Sequence, residues 1–206
     1  YFIVLPAILG TTTPMVVVSS CSEAGYLNIG DVLVIKGLEI EEIKAPLVEM
    51  NSLDFKALNQ NDLEYSTNDL MNNEEITQIN FGGKIVDLNR SNDIVVYNTN
   101  PFFGQVIHRA FAKIKVKDKY YVITKGDANI VIDQIGFTTA GNSYYCYTEN
   151  PSTCVSTLVN NNMLVGKKVL IRIPFAGHIK LFFCDIMPFC DGHSNIGTNY
   201  EYKLTC

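Results

Sequence analysis

The chain has 206 residues, of which 47% are hydrophobic and 18% charged. That suits a folded core of one large or two small domains and excludes a disordered chain. The net charge of −5, with no basic stripe among aromatics, argues against nucleic acid as a partner, because phosphate binding needs a basic surface.

Tyr1 to Leu9 is an apolar run, shorter than the roughly 20 residues that cross a bilayer. Two readings stand: residues 1–13 as the end of an N-terminal membrane anchor with its linker, or a buried first element. Residues 14–206 are expected to form the main domain. Pro14 to Val18 is short and β-branched, which predicts a strand leading into Ser20, Cys21 and Ser22. Asp31 to Lys36 follows a glycine turn and predicts a second strand, ended by Gly37. Residues 38–92 are acidic and rich in Asn, the pattern of a loop-rich or partly helical insert. Strand signals return at Asp93 to Tyr97 and at Gln105 to Val116. Lys117-Asp118 then turns the chain into Tyr120 to Thr124, a hairpin. Gly166 to Pro174 predicts a further strand, and His178 to Phe183 a last one. The expected fold is mainly β, built of antiparallel sheets.

The six cysteines are Cys21, Cys146, Cys154, Cys184, Cys190 and Cys206. Cys146 with Cys154, and Cys184 with Cys190, each flank a short loop, as disulfides do in an oxidising compartment. Cys184, Cys190 and His193 offer a rival zinc site, but it lacks the second tight ligand pair of structural zinc. No metal or cofactor is expected. Asn89-Arg90-Ser91 fits a glycosylation sequon, a tripeptide also common by chance.

Serine, imidazole and carboxylate are the components of nucleophilic acyl transfer. Ser22 lies where a strand gives way to a polar turn, a place serines also occupy for turn geometry alone. His108 interrupts an apolar strand, where a histidine is either a core residue or a base. Asp133 follows Ile130-Val131-Ile132, a costly place for a carboxylate without a partner. Asp127, in a Lys-Gly-Asp turn, is the competing carboxylate; capping the turn is its simpler role.

These segments together resemble the type I signal peptidases of the archaeal and endoplasmic-reticulum kind. The first box of that family, Ser-Gly-Ser-Met-x-Pro before a Gly-Asp and an apolar strand, stands as Ser20 to Gly25, then Gly30-Asp31 and Val32 to Ile35. The second stands as Val106-Ile107-His108-Arg109. The third stands as Thr124 to Asn129, with Asp133 six positions after Asp127. Ile173 to Gly177 resembles the apolar Pro-aromatic segment. The family's Met is Glu23 and its Pro is Gly25 in this chain.

The resemblance implies a membrane-bound serine endopeptidase that removes signal peptides from secretory preproteins after small residues. Its catalytic domain would face the extracytosolic or lumenal side, against membrane lipid. It implies Ser22 as nucleophile, His108 as base and Asp133 as its carboxylate. Ser20 and the Ser22 N–H would form the oxyanion site, and Val16 and Val18 the walls of substrate pockets. Glu23 and Gly25 keep two alternatives open: an inactive binding or assembly module, and a serine peptidase with another protein substrate.

Overall fold

A computed structural model describes residues 4–51, 63–68, 73–81, 83–99, 104–137, 143–145, 156–174 and 176–178. A short helix α1 (Val4–Leu9) precedes strands β1 (Met15–Val17) and β2 (Val32–Lys36). A 3-10 turn at Ile40–Glu42 leads to β3 (Leu47–Met50), followed by β4 (Leu63–Asn68), β5 (Asn73–Phe81) and β6 (Lys84–Asp87). Then come β7 (Ile94–Asn98), β8 (Gln105–Val116), β9 (Lys119–Lys125), β10 (Ile135–Phe137), β11 (Ser143–Tyr145) and β12 (Leu164–Ile173).

The protein is mainly β. Seven strands form one sheet in the order β1-β2-β12-β7-β8-β3, with β9 also paired to β8. All its pairings are antiparallel except β3 with β8. β7 is buried along Ile94 to Tyr97, so both of its faces are covered, as its unbroken apolar sequence requires. β8 and β9 form the hairpin, whose turn carries Lys117 at a φ of 55°. β4, β5 and β6 form a separate three-stranded antiparallel sheet. Ile76, Ile79, Phe81 and Val86 from that sheet pack with Phe111, Ile114 and Ile123 of the β8–β9 hairpin. The described part of the 38–92 stretch is thus mostly strand, with the 3-10 turn as its helical content.

α1 buries none of its residues and leaves Val4 and Ile8 exposed. Gly37 N–H donates to the Leu9 carbonyl at 2.7 Å, and Thr11 Oγ1 to the Val165 carbonyl at 3.0 Å. No helix among the described residues is long and apolar enough to cross a membrane. Most of the strand expected at 178–183 lies outside the described residues.

Candidate active site

The loop that carries the serines is held from both sides. Val18 N–H donates to the Asp31 carbonyl at 2.9 Å, and Gly30 N–H to the Val18 carbonyl at 2.8 Å. The Asp31 carboxylate caps the Asn28 N–H at 2.7 Å and pairs with Arg172 at 2.7 Å. On the other side, Ala128 N–H donates to the Ser22 carbonyl at 2.8 Å. Gly126 allows this approach, since a Cβ there would lie 2.6 Å from the Ser22 carbonyl oxygen. Gly25 adopts a φ of +87°, which proline cannot reach. The turn after Ser22 therefore differs from one built on proline. Cys21, between the two serines, is in a disulfide. The other five cysteines, the loops expected to be closed by them and the rival zinc ligands lie outside the described residues.

Ser20 is exposed and Ser22 half-buried, with their hydroxyl oxygens 3.2 Å apart. Ser22 Oγ makes its hydrogen bond to Ser20 rather than to His108.

His108 and Asp133 meet in the interior. His108 Nδ1 lies 2.6 Å from Asp133 Oδ2, and the two are 5% and 1% exposed. The Tyr97 and Thr124 hydroxyls donate to the same Oδ2 at 2.7 and 2.6 Å. Three donors on one oxygen fix the carboxylate and, through it, the tautomer and plane of the imidazole. His108 Nε2 is then left without a hydrogen-bond partner among the described residues. Burial works to lower the His108 pKa, but the charge and hydrogen bond of Asp133 outweigh it, and the result lies above the ordinary 6.5. Tyr97 is pushed well above its ordinary value by burial and by Asp133, so its hydroxyl stays a donor. The sequence reading placed Thr124 at the head of the third box but gave neither it nor Tyr97 a part in holding Asp133. The signal for Tyr97 was a hydroxyl at the end of an apolar strand.

Asp127 is occupied elsewhere. Arg109 grips it with two hydrogen bonds, Nε to Oδ1 at 2.7 Å and Nη2 to Oδ2 at 2.6 Å. Arg109 Nη1 donates to the carbonyls of Arg90 and Asn92 at 2.7 and 2.8 Å. The guanidinium also lies over the Tyr26 ring, 5.2 Å from its centre. Both partners are buried, so the pair ties the turn after β9 to the middle of β8. Glu23 is buried against this turn at 1% exposure, and its Oε1 accepts from the Asp127 N–H at 3.3 Å. Burial first, and then the Asp127 charge, push the Glu23 carboxyl up to about 8.

Among the described residues β1 is an edge strand, paired with β2 alone. Val16 and Val18 point inward, 6% and 4% exposed, and pack with Leu27, Leu33, Ile35, Ile94 and Val96. They form the floor under the edge rather than an open wall. No group of three or more His, Cys, Asp or Glu side chains among the described residues is placed to hold a metal ion. Asn89 is exposed, its side chain accepting from the Ser91 N–H at 2.8 Å. No protein-family model matches the chain, and no curated protein matches it.

Proposed function

We propose that the chain is a serine endopeptidase acting on extended peptide segments, in the manner of a signal peptidase cutting secretory preproteins after small residues. One observation carries the reading. It is the buried His108–Asp133 pair, at 2.6 Å, in a chain whose Ser20 and Ser22 hydroxyls sit 3.2 Å apart. Glu23, next to Ser22, is close enough to His108 to act on its charge.

In this reading the substrate lies along the open edge of β1 and adds a strand to it through main-chain hydrogen bonds. Ser22 Oγ attacks the scissile carbonyl carbon as its proton passes to His108 Nε2. The oxyanion is held by the Ser22 N–H and the Ser20 hydroxyl. His108 then gives the proton to the leaving amine, and water hydrolyses the acyl-enzyme by the reverse route. Asp133 stabilises the imidazolium that forms between the two transfers. The exposed Val4 and Ile8 of α1 support contact with lipid, where signal peptides are presented.

The test is cleavage of a secretory preprotein in lipid vesicles by the wild-type chain, Ser22→Ala and His108→Ala. Cleavage after a small residue by wild type alone supports the assignment. Equal cleavage by Ser22→Ala removes Ser22 from the mechanism. No cleavage by a folded wild type leaves a binding module, with the β1 edge as its peptide-docking strand.

A further inference from the structure

The acyl-transfer reading leaves Glu23 without a task. Its side chain follows the nucleophile directly and is 1% exposed. Oε1 accepts from the Asp127 N–H. Oε2 is buried and has no hydrogen-bond partner among the described residues. The groups that act on it are Asp127, which repels a negative charge, and His108 and Arg109, which attract one. Tyr97 also feels its charge. Neither cation is free to neutralise it, since Arg109 is committed to Asp127 and His108 to Asp133. A carboxylate here would be a charge with one oxygen unsatisfied in the interior. A neutral acid is the less costly occupant.

We infer that Glu23 is a positioning residue that keeps its proton while Ser22 reacts, and that loss of this proton sets the alkaline limit of the reaction. The inference rests on the serine-peptidase reading. Two consequences of ionisation carry it. Negative charge builds on the substrate carbonyl oxygen beside the Ser22 N–H, and a neighbouring carboxylate in a water-poor site opposes it. The same carboxylate strengthens the hold of His108 on a proton, so less of the imidazole is free to act as base. Repulsion from Asp127 adds a third effect, because that turn holds the Ser22 carbonyl through Ala128. With burial, and then the Asp127 charge, pushing the Glu23 carboxyl up to about 8, the acid is mostly protonated at neutral pH and ionises on the alkaline side.

The experiment is the pH profile of kcat and kcat/KM for the full chain between about pH 6 and about pH 10. It compares wild type with Glu23→Gln and Glu23→Met, each scaled to its own maximum. Wild type should lose rate above about pH 8, roughly tenfold per pH unit, in kcat as well as kcat/KM. Both neutral variants should hold their plateau at least about one unit further. Gln keeps the shape and the Asp127 contact. Met keeps only the volume, so it decides the question if the Gln variant does not fold. A wild-type rate that stays level across this range, or an alkaline limb that survives in the neutral variants, overturns the inference and leaves the peptidase reading intact. Absence of hydrolysis by wild type at every pH overturns that reading, and this one with it.

Discussion

At His108 burial and Asp133 pull one proton in opposite directions, and Asp133 wins. In the proposed mechanism His108 must be neutral to accept from Ser22, so the acid limb of kcat/KM should lie above 6.5, the ordinary imidazole value. Asp133→Asn leaves burial in charge, which should move that limb to lower pH. It also releases the tautomer, and a loss of about 10⁴ in kcat is expected. The same proton appears in stability. A histidine whose folded pKa is raised adds stability that is full below 6.5 and is lost as pH rises through the folded value. Urea midpoints of wild type measured against Asp133→Asn should therefore converge over that window. Glu23 follows the same sign. Its stabilising contribution is full below 4.5 and disappears as pH climbs to about 8, so Glu23→Gln should gain on wild type in thermal midpoint across that interval. Asp127→Ala is a different kind of change. It strands the buried Arg109, at a cost of about 3–5 kcal/mol, which denaturant titration would read. A variant with unchanged stability would mean that the bidentate pair does not hold the turn.

At the scale of single elements, the proposed function makes β1 the strand that joins recognition to chemistry. The Pro14 carbonyl and the Val18 N–H and carbonyl are all turned toward β2. Alternation along an antiparallel strand then aims the Val17 N–H and carbonyl at the edge that no other described strand pairs with. Val17→Pro removes one outward donor and spares the β2 ladder, a place where an edge strand tolerates proline. The expected effect is a rise in KM of roughly fivefold, one hydrogen bond's worth, with Val17→Ala as the control. An unchanged KM would remove β1 from substrate binding. Gly126→Ala should instead lower kcat, because its Cβ meets the Ser22 carbonyl. The strands around the site were readable in advance because local signals bound them. The Lys117-Asp118 turn marks the β8–β9 hairpin, and β-branched runs mark β2 and β7. β4, β5 and β6 were not readable, because Asn and acidic residues are poor strand formers and the sheet exists through the apolar stripe of Ile76, Ile79 and Phe81. Of the site, the pairing of His108 with Asp133 followed from chemistry, since a carboxylate beside Ile132 needs a partner. The burial of Glu23 did not, because it depends on the turn after β9 folding back over the nucleophile loop, a contact between residues 104 positions apart in sequence.

For the molecule as a whole, the loop of Ser20 and Ser22 is held by covalent chemistry as well as by packing. The Cys21 disulfide fixes the segment between the two serines to a second part of the chain. Its loss as Cys21→Ala should cost about 2–4 kcal/mol, measured as a fall in thermal midpoint. Activity should fall too if the bridge sets the spacing of Ser20 and Ser22. Full activity and stability in that variant would assign the bridge no part in either.

The β4–β6 sheet has a different consequence. Ile76, Ile79, Phe81 and Val86 of its inner face share one buried cluster with Phe111, Ile114 and Ile123. A shortened version of this protein, trimmed to the strands nearest the serine, would turn that buried seam into a sticky outer wall. Such a truncate would be lost to clumping before its chemistry could be assayed. Far from being a detachable ornament, the insert is the cladding that keeps the hairpin bearing His108 dry.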